Sequence, residues 1–424
     1  MRRPYAFLLV LILLTVSLDA APRRRAAGKV APYDESTPGG WLSANAYVLS
    51  TPNFVPYTGD LQPLRAMIGS AGVIALGDAT HGTHEFYTMK LRVIDMLVRD
   101  AGFDVVALEG PFPLINRIDA YVQGGAGDGR ALLREMKPMG YYYWDAEELL
   151  AIVEWMREYN AHRGERPAVH ISGFDVLEAY AASREVLAYL QGIDPAGAVT
   201  TEGQYKCVPA GALIVSAGCE GSAISVRDWL AAREAELIPL SSAAAFHEAL
   251  QNARVVAQSR VAFGAVRDEA MARNALWLRE HRGSTRKIIL WAHNAHLPKT
   301  TTSLTPPKPM GQILAESLGS DYFTFATLTA AGTFRYWKVS ETNHAFASFG
   351  ALEPTAYESY IRQRGVPSLL IPLRGTLPSW LTTAARFNIA TGGGSMPTVK
   401  GSLPTLYDAA IFIDTTTPLV TIGN

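Results

Sequence analysis

The sequence predicts an α/β fold in which a mainly parallel central sheet is flanked by helices. Short apolar runs alternate with longer segments of helical periodicity, a pattern typical of parallel strands that are buried on both faces. In addition, four of the apolar runs are followed directly by polar or charged side chains. Ligands bind beyond the carboxyl ends of the strands in such sheets, so these four ends are expected to converge on one site.

The side chains that follow the four runs are carboxylates and histidines. The runs lie within GVIALGDATH, FDVVALEG, AVHISGFD and KIILWAHNAH. The residues at their ends are Asp78 and His81 in the first, Glu109 in the second, Asp175 in the third, and His293 and His296 in the fourth.

The composition is that of an ordinary globular protein. The chain has 424 residues, of which 48% are hydrophobic and 18% charged, with a formal net charge of −1. This length suffices for one large α/β domain with a full core. The balanced charge is not typical of a nucleic-acid-binding surface, so we expect no nucleic-acid partner.

The N-terminus resembles a secretory signal peptide. Two arginines precede an apolar run from Ala6 to Leu18, and small residues follow at Ala20 and Ala21. We therefore predict a signal peptide over residues 1–21, a polar linker over 22–40 and one domain over 41–424, in a periplasmic or secreted protein. The apolar run is short for a membrane span, so no stable span is expected after cleavage. An uncleaved anchor is the alternative.

The two cysteines fit an exported protein. Cys207 and Cys219 lie in the Gly-rich stretch YKCVPAGALIVSAGCEG and can form a disulfide in an oxidising compartment. Closing a loop of this size stabilises the fold by roughly 3 kcal/mol in the chain-entropy model. The alternative is a pair of unlinked cysteines in the core.

Helical periodicity predicts a helix from His84 to Ala101, with Gly102 as its stop. Lys90 lies in the middle of the apolar face of this helix. Either its chain extends to solvent, or its ammonium points toward a site formed by Asp78 and Glu109. The face predicted to be solvated comprises Glu85, Thr88, Arg92, Asp95 and Arg99.

Two further segments have helical patterns. In FGAVRDEAMARNALWL, Arg267, Asp268 and Asn274 lie beside the apolar stripe, where they serve either the site or only the rim of a packed face. In DAEELLAIVEWMREY, Asp145 followed by Glu148 predicts a capping box.

Several common catalytic motifs are missing from the sequence. It has no Gly-x-Ser-x-Gly, no phosphate-binding Gly-x4-Gly-Lys-Ser/Thr and no Gly-x-Gly-x-x-Gly after a strand. A serine elbow and a nucleotide cofactor are therefore unsupported.

Acid–base chemistry by His81 is the interpretation that remains. Asp78 and Glu109 can hold its imidazole in one tautomer while it takes a proton from water. His293 or His296, together with Lys90, can stabilise negative charge on a carbonyl oxygen. This arrangement suits hydrolysis by activated water, without a covalent intermediate and without a cofactor.

A metal site is the chemical alternative for the same residues. Asp78, His81, Glu109 and His293 can hold a divalent ion whose bound water attacks the substrate. Histidine and carboxylate sets serve both kinds of chemistry, so the residue types leave this choice open.

Three segments together resemble the erythromycin esterase family: GDATHGTHEFYTMKLRVIDMLVRDAGFDVVALEG, VRDEAMARNALWL and KIILWAHNAHLPKT with the later MGQIL. The segments YYYWDAEELLAIVEWMREYN, HISGFDV and YKC…GC are similar to its succinoglycan-biosynthesis-like branch. The resemblance implies a mainly parallel sheet with helices on both sides and a helical elaboration beside the cleft.

The resemblance also implies roles for individual residues. Characterised members open macrolide lactones with the motif histidine as general base, which implies that role for His81. His293 matches the later catalytic-site histidine and Glu109 a cleft glutamate. Asp78 stands where the family usually has glutamate, and Lys90 where some macrolide-cleaving members have arginine, which changes a planar fork to a point charge.

We therefore expect an exported esterase-like hydrolase that acts on a small ester or lactone, related to macrolide-resistance enzymes. A non-catalytic periplasmic binding or assembly protein on the same fold is the alternative. The expected catalytic residues are Asp78, His81, Glu109 and His293, and the expected substrate-binding residues are Lys90, His84, His296, Arg267 and Asp175. His84 either lines the cleft or only occupies the helix N-terminus.

Overall fold

A computed structural model describes residues 34–55, 59–136, 143–260, 264–302, 307–338, 343–389, 394 and 398–423. The predicted signal peptide and most of the predicted linker lie outside these residues. The first described helix begins at Pro38, slightly before the expected domain start at residue 41. Among the described residues, no helix is long and apolar enough to cross a membrane.

A mixed sheet forms the centre of the molecule, with strand order β1-β8-β11-β6-β2-β5-β3-β4 and with β7 paired to β6. The strands from β11 to β4 in this order are parallel to one another. A separate hairpin is formed by β9 and β10. The strands are β1 Tyr47–Val48, β2 Val73–Asp78, β3 Val105–Pro111, β4 His170–Asp175, β5 Ile288–His293, β6 Tyr322–Lys338, β7 Asn343–Ser348, β8 Ser368–Pro372, β9 Ala385–Asn388, β10 Thr398–Gly401 and β11 Ala409–Thr416.

Helices cover both faces of the sheet, as predicted. In chain order they are α1 Pro38–Asn45, α2 Gln62–Ile68, α3 His84–Ala101, α4 Phe112–Val122, α5 Gly129–Arg134, α6 Glu147–His162, α7 Ala179–Ile193, α8 Pro195–Tyr205, α9 Glu220–Ala231, α10 Glu234–Leu237, α11 Ala243–Gln258, α12 Ala265–His281, α13 Met310–Leu318, α14 Tyr357–Arg362, α15 Ser379–Thr382 and α16 Leu403–Leu406. The helices α7 to α11 form a helical elaboration between β4 and β5.

The four predicted strands are neighbours in the sheet, in the order β2-β5-β3-β4. Asp78 at the end of β2 is in register with His293 at the end of β5. A register irregularity between Leu108 and Pro111 contains Glu109, and Pro111 pairs with Asp175 of β4. The sheet therefore brings all four polar strand ends to one edge.

Alternation along the strands builds one core on each face. Val73 and Ala75 of β2 belong to the core beneath α11 and α12, whereas Ile74 and Leu76 belong to the core beneath α3 and α6. Successive side chains of a strand point to opposite faces, so a continuously apolar strand serves both cores.

The helix α3 has the predicted bounds, and Gly102 ends it in the left-handed conformation with φ 70°. The prediction of a solvated face was wrong for most of that face. Arg92 is fully buried and donates to Asp60 at 2.7 Å, while Glu85 is 8% exposed and accepts from Thr417. Segments distant in sequence cover this face, so the helical period alone could not identify it as buried.

The predicted capping box was also wrong. The helix α6 begins at Glu147 with Ala146 at the N-cap position, and no side chain caps it. Glu148 instead contacts His84 and the backbone N–H of Val420. Glu148 therefore makes tertiary contacts and does not cap the helix as the local pattern predicted.

Cys207 and Cys219 form a disulfide with a Cα–Cα distance of 5.3 Å, so they are not the unlinked pair of the alternative interpretation. The bond links the segments that follow α8 and precede α9. Carbonyl groups inside the closed loop accept hydrogen bonds from the start of α7, where Glu178 and Ala179 donate to Leu213. The loop is therefore tied to the helix that follows β4.

Glu178 is an unusually placed acid just after β4. It adopts a left-handed backbone with φ 81°, which is uncommon for a non-glycine residue. Its side chain is fully buried, and within the described part of the chain its carboxyl oxygens have no hydrogen-bond partner. Burial raises the pKa of Glu178 to about 8, so the neutral acid is the favoured form at neutral pH.

This raised pKa gives stability a specific pH dependence. The contribution of Glu178 is fully present below the pKa of an exposed glutamate and is lost as pH rises through about 8. We expect the wild type to lose up to about 1.4 kcal/mol of unfolding free energy per pH unit in this window relative to Glu178→Gln. Urea unfolding of both proteins at several pH values measures the difference, with Glu165→Gln at an exposed position as control. Parallel stability curves for wild type and Glu178→Gln would contradict the assignment.

Candidate active site

The candidate site lies at the carboxyl edge of β2, β5, β3 and β4. Three carboxylates from these strand ends, Asp78, Glu109 and Asp175, are buried there, and His293 is 9% exposed. Buried carboxylates are stable only when paired, so each one requires a partner delivered by a neighbouring element.

Asp78 is paired with Lys90 from α3. The Lys90 Nζ lies 2.5 Å from Asp78 Oδ2, and the indole Nε1 of Trp291 donates to the same oxygen at 3.0 Å. Burial alone would raise the pKa of Asp78, but the Lys90 ammonium opposes it and the pKa falls to about 2. Burial lowers the pKa of Lys90 to about 8 against the attraction of Asp78. Both groups are charged at neutral pH.

Glu109 accepts contacts from three elements. Its Oε2 accepts the backbone N–H of His293 at 2.9 Å, and its Oε1 accepts Arg267 at 3.0 Å. His296 Nε2 lies 3.2 Å from the same Oε1. Burial favours the neutral acid, but these cations outweigh it, His296 first, and the pKa of Glu109 lies well below its usual range.

Arg267 from α12 joins Glu109 to Asp175. Its Nε and Nη2 donate to the two oxygens of Asp175 at 2.9 and 2.6 Å. This two-armed geometry is the strongest form of an arginine–carboxylate pair. Arg267 is 8% exposed.

His296 lies between two carboxylates. Its Nδ1 contacts Asp268 Oδ1 at 2.9 Å, and its Nε2 faces Glu109. Burial alone would lower the pKa of His296, but Glu109 and Asp268 raise it to about 10. The imidazole is therefore a cation at neutral pH, with a carboxylate on each nitrogen.

His293 is a neutral imidazole. Burial is the largest influence and lowers its pKa to about 4. Its Nδ1 accepts the N–H of Ala295 at 3.2 Å, so the proton is on Nε2, which lies 3.3 Å from the carbonyl oxygen of Ala79.

His81 follows the end of β2 and retains some access to solvent, with 13% of its side chain exposed. Its Nδ1 lies 3.2 Å from Asp78 Oδ1, and its Nε2 lies 3.6 Å from Glu109 Oε2. Its ring stacks on Tyr143 with a centroid distance of 4.5 Å and lies 5.3 Å from the ring of His293. The imidazole thus lies between two carboxylates and against an aromatic ring, and within the described residues its Nδ1 makes no hydrogen bond.

His84 forms a separate pair at the start of α3. Its Nδ1 lies 2.6 Å from Glu148 Oε1, and this hydrogen bond raises the pKa of His84. The side chain is 31% exposed. His84 is therefore a half-buried residue on the N-terminal turn, and its carboxylate partner is not shared with His81.

The structure brings most of the predicted site residues into one cluster. Lys90 and His296, expected as cations for an oxyanion, contact buried carboxylates in this structure. Asp268, Trp291 and Tyr143 also belong to the cluster but were not among the expected site residues. Asp268 was visible beside Arg267 on the helix, whereas no local pattern indicated that Tyr143 would stack on His81.

Three of the four residues in the metal alternative, Asp78, Glu109 and His293, have partners within the protein. Within the described residues, no group of three or more His, Cys, Asp or Glu side chains is placed to hold an ion. Asp78 and Glu109 have cationic partners, and His293 directs its Nε2 proton at a carbonyl group.

Comparison with known proteins shows the family. The model of the erythromycin esterase family matches residues 98–416, most of the chain. The chain belongs to the erythromycin esterase family. The matched range contains Glu109, Asp175, Arg267, His293 and His296, whereas Asp78, His81 and Lys90 lie ahead of it. Membership supports a hydrolase that acts on a small molecule.

Two relatives are similar over most of their length. Erythromycin esterase type II of Escherichia coli is 25% identical over 68% of this chain and 76% of its own. The putative hydrolase YbfO of Bacillus subtilis is 24% identical over 77% of this chain and 78% of its own.

Solved structures confirm the erythromycin esterase fold. A Bacillus cereus protein superposes with a TM-score of 0.80 at 26% identity, covering 93% of this chain and 100% of that one. A succinoglycan biosynthesis protein gives 0.78 at 22%, covering 91% and 98% of the two chains. An erythromycin esterase mutant in its open conformation gives 0.67 at 18%, covering 86% and 96%. The last two show the fold alone.

The Lys90–Asp78 pair in this erythromycin esterase family member leads to a stability prediction. Lys90→Met leaves Asp78 buried without its counter-charge, which we expect to cost about 3–5 kcal/mol of unfolding free energy. Lys308→Met is the matched control, because Lys308 pairs with Glu316 at the surface and its loss should cost far less. Urea unfolding at pH 7 measures both. Equal losses of unfolding free energy in the two variants would show that the buried pair stabilises the fold no more than the surface pair does.

Proposed function

We propose that this protein is an exported hydrolase that opens an ester or lactone by attack of water activated by His81. The observation that carries the proposal is the placement of His81. Its ring is partly exposed, lies between the carboxylates of Asp78 and Glu109, and stacks on Tyr143. A partly exposed imidazole placed in this way can take a proton from water.

The reaction needs one proton to move and return. Water attacks the carbonyl carbon while its proton passes to His81, which gives a tetrahedral oxyanion. The carbon–oxygen bond to the leaving alcohol then breaks, and the His81 imidazolium returns the proton to the departing oxygen. The products are a carboxylic acid and an alcohol, which remain one molecule when the substrate is a lactone.

The formal charges of the cluster nearly balance. The carboxylates of Asp78, Glu109, Asp175 and Asp268 face three cations: Lys90, Arg267 and His296. One negative charge is in excess while His81 is neutral. Protonation of His81 during the reaction brings the formal charge of these eight groups to zero.

Replacing His81 tests the mechanism. We expect His81→Asn to lower kcat/KM by about 10²-fold or more, because general-base catalysis contributes at least this much. Purified wild type and variant are incubated with a macrolide and a panel of simpler esters and lactones, and gain of one water is followed by mass spectrometry. His162→Asn, an exposed position, is the matched control.

The same assay separates the alternatives. Sensitivity to a chelator in the wild type would support the metal-dependent version of the chemistry. If the folded wild type hydrolyses none of the compounds, the catalytic proposal fails and a binding or assembly role takes its place.

We also propose export to the periplasm or the medium. The proposal is supported by the N-terminal pattern and by the Cys207–Cys219 disulfide, because structural disulfides persist in oxidising compartments. Expressed in a bacterial host, the mature protein should begin just after Ala20 or Ala21, as N-terminal sequencing would show. Recovery of an intact N-terminus from a membrane fraction would instead support the uncleaved anchor.

A further inference from the structure

The C-terminal segment from Thr417 to Gly423, here called the strap, lies against the loop that carries His81. The carbonyl group of Thr417 accepts the backbone N–H of His84 at 2.9 Å, and Leu419 donates to the carbonyl of Gly82 at 3.0 Å. Pro418 forms an isolated antiparallel bridge with Thr83. The strap therefore pairs with the backbone immediately after His81.

The other edge of the strap pairs with the start of α6. Glu147 donates its backbone N–H to the carbonyl of Val420 at 2.9 Å, and Val420 donates to Glu148 Oε1 at 3.1 Å. Thr421 forms an antiparallel bridge with Ala146. The strap thus joins the His81 loop to the segment that directly follows Tyr143 and Trp144.

Glu85 anchors the beginning of the strap. Its carboxylate accepts the backbone N–H of Thr417 at 2.7 Å and the hydroxyl of Thr417 at 2.8 Å. Glu85 is 8% exposed, so this anchor is shielded from water.

Arg335 of β6 contacts all three segments. Its backbone N–H donates to the carbonyl of Gly82 at 2.9 Å. Its Nη1 donates to Thr421 Oγ1 at 2.7 Å, and its Nη2 donates to the carbonyl of Asp145 at 3.0 Å. The side chain is 2% exposed. Both side-chain bonds involve a charged donor, so they are stronger than ordinary ones.

The close approach of Arg335 also limits what can follow His81. A Cβ atom at Gly82 would lie 1.7 Å from the carbonyl oxygen of Arg335, so only glycine fits there. The phenol of Tyr87 links the same neighbourhood, donating to the carbonyl of His81 at 3.1 Å and lying 3.2 Å from that of Tyr143.

We infer that Arg335 is a positioning residue for His81, and that it acts through the strap. One guanidinium arm fixes the strap at Thr421, and the other fixes Asp145, two residues beyond the Tyr143 ring that stacks on His81. The main chain of Arg335 fixes Gly82, the residue after His81. The consequence for catalysis rests on the proposed function, whereas the placement of the His81 ring does not.

The test measures the placement of His81 directly. Arg335→Lys keeps the charge but loses the two-armed geometry, and Thr421→Val removes only the hydroxyl that accepts one arm. Diethyl pyrocarbonate modification of the His81 imidazole is followed by peptide mass spectrometry, with exposed His162 as internal reference. Arg273→Lys, at an exposed position on α12, is the matched control.

We expect His81 to be modified at least about fivefold faster in Arg335→Lys than in wild type, with His162 unchanged. Thr421→Val should show a smaller increase in the same direction. The double variant should resemble Arg335→Lys alone, because both changes break the same hydrogen bond. With an ester that the wild type hydrolyses, kcat should fall about 10-fold or more while KM changes little, since misplacing a catalytic group weakens the chemical step.

Unchanged His81 reactivity in folded Arg335→Lys and Thr421→Val would overturn the inference. Equal acceleration at His81 and His162 would also overturn it, because that pattern indicates general loosening. If Arg335→Lys does not fold, the Thr421→Val result decides. If wild type hydrolyses nothing but His81 reactivity rises as expected, the positioning role stands and the proposed function fails.

Discussion

Glu109 contacts groups from several of the elements that border the site. Its two oxygens meet the backbone of β5 at His293, the guanidinium of Arg267 from α12, and the imidazole of His296, while His81 lies 3.6 Å away. A carboxylate buried this deeply is stable only with such partners. The register irregularity in β3 places it where all of them can reach it. The geometry of the site therefore depends on the ionised state of this one side chain.

The other buried carboxylates around Glu109 are also paired with cations. Each buried carboxylate has a cation beside it: Lys90 for Asp78, Arg267 for Asp175 and His296 for Asp268. Burial disfavours the charged form of every one of these groups, and the opposite charges nearby act against it to different extents. His293 is neutral, whereas His296, only three residues later in the sequence, is a cation.

The site is also held together from outside the sheet. The strap, Arg335 and Glu85 surround the loop after β2 with backbone pairing and charged hydrogen bonds. Loops that carry functional residues are ordinarily mobile, and a catalytic imidazole requires a fixed position. The C-terminal strand β11 ends beside this loop, so the last described residues of the chain stabilise a motif that lies near its beginning.

The sequence by itself determined the parallel strands, the bounds of α3 and the convergence of Asp78, Glu109, Asp175 and His293. Strand burial and helix termination are local properties, which apolar runs and a glycine such as Gly102 indicate in the sequence. Only the tertiary structure decided which polar residues are buried. Arg92 and Glu85 are buried, although the helical period predicted that their face is exposed to solvent. Glu148 was expected to cap α6 but contacts His84. Tyr143 reached the site, and Arg335 the loop that follows His81, through contacts between distant segments. Such contacts depend on which elements pack together, and a local sequence pattern does not predict the packing partners.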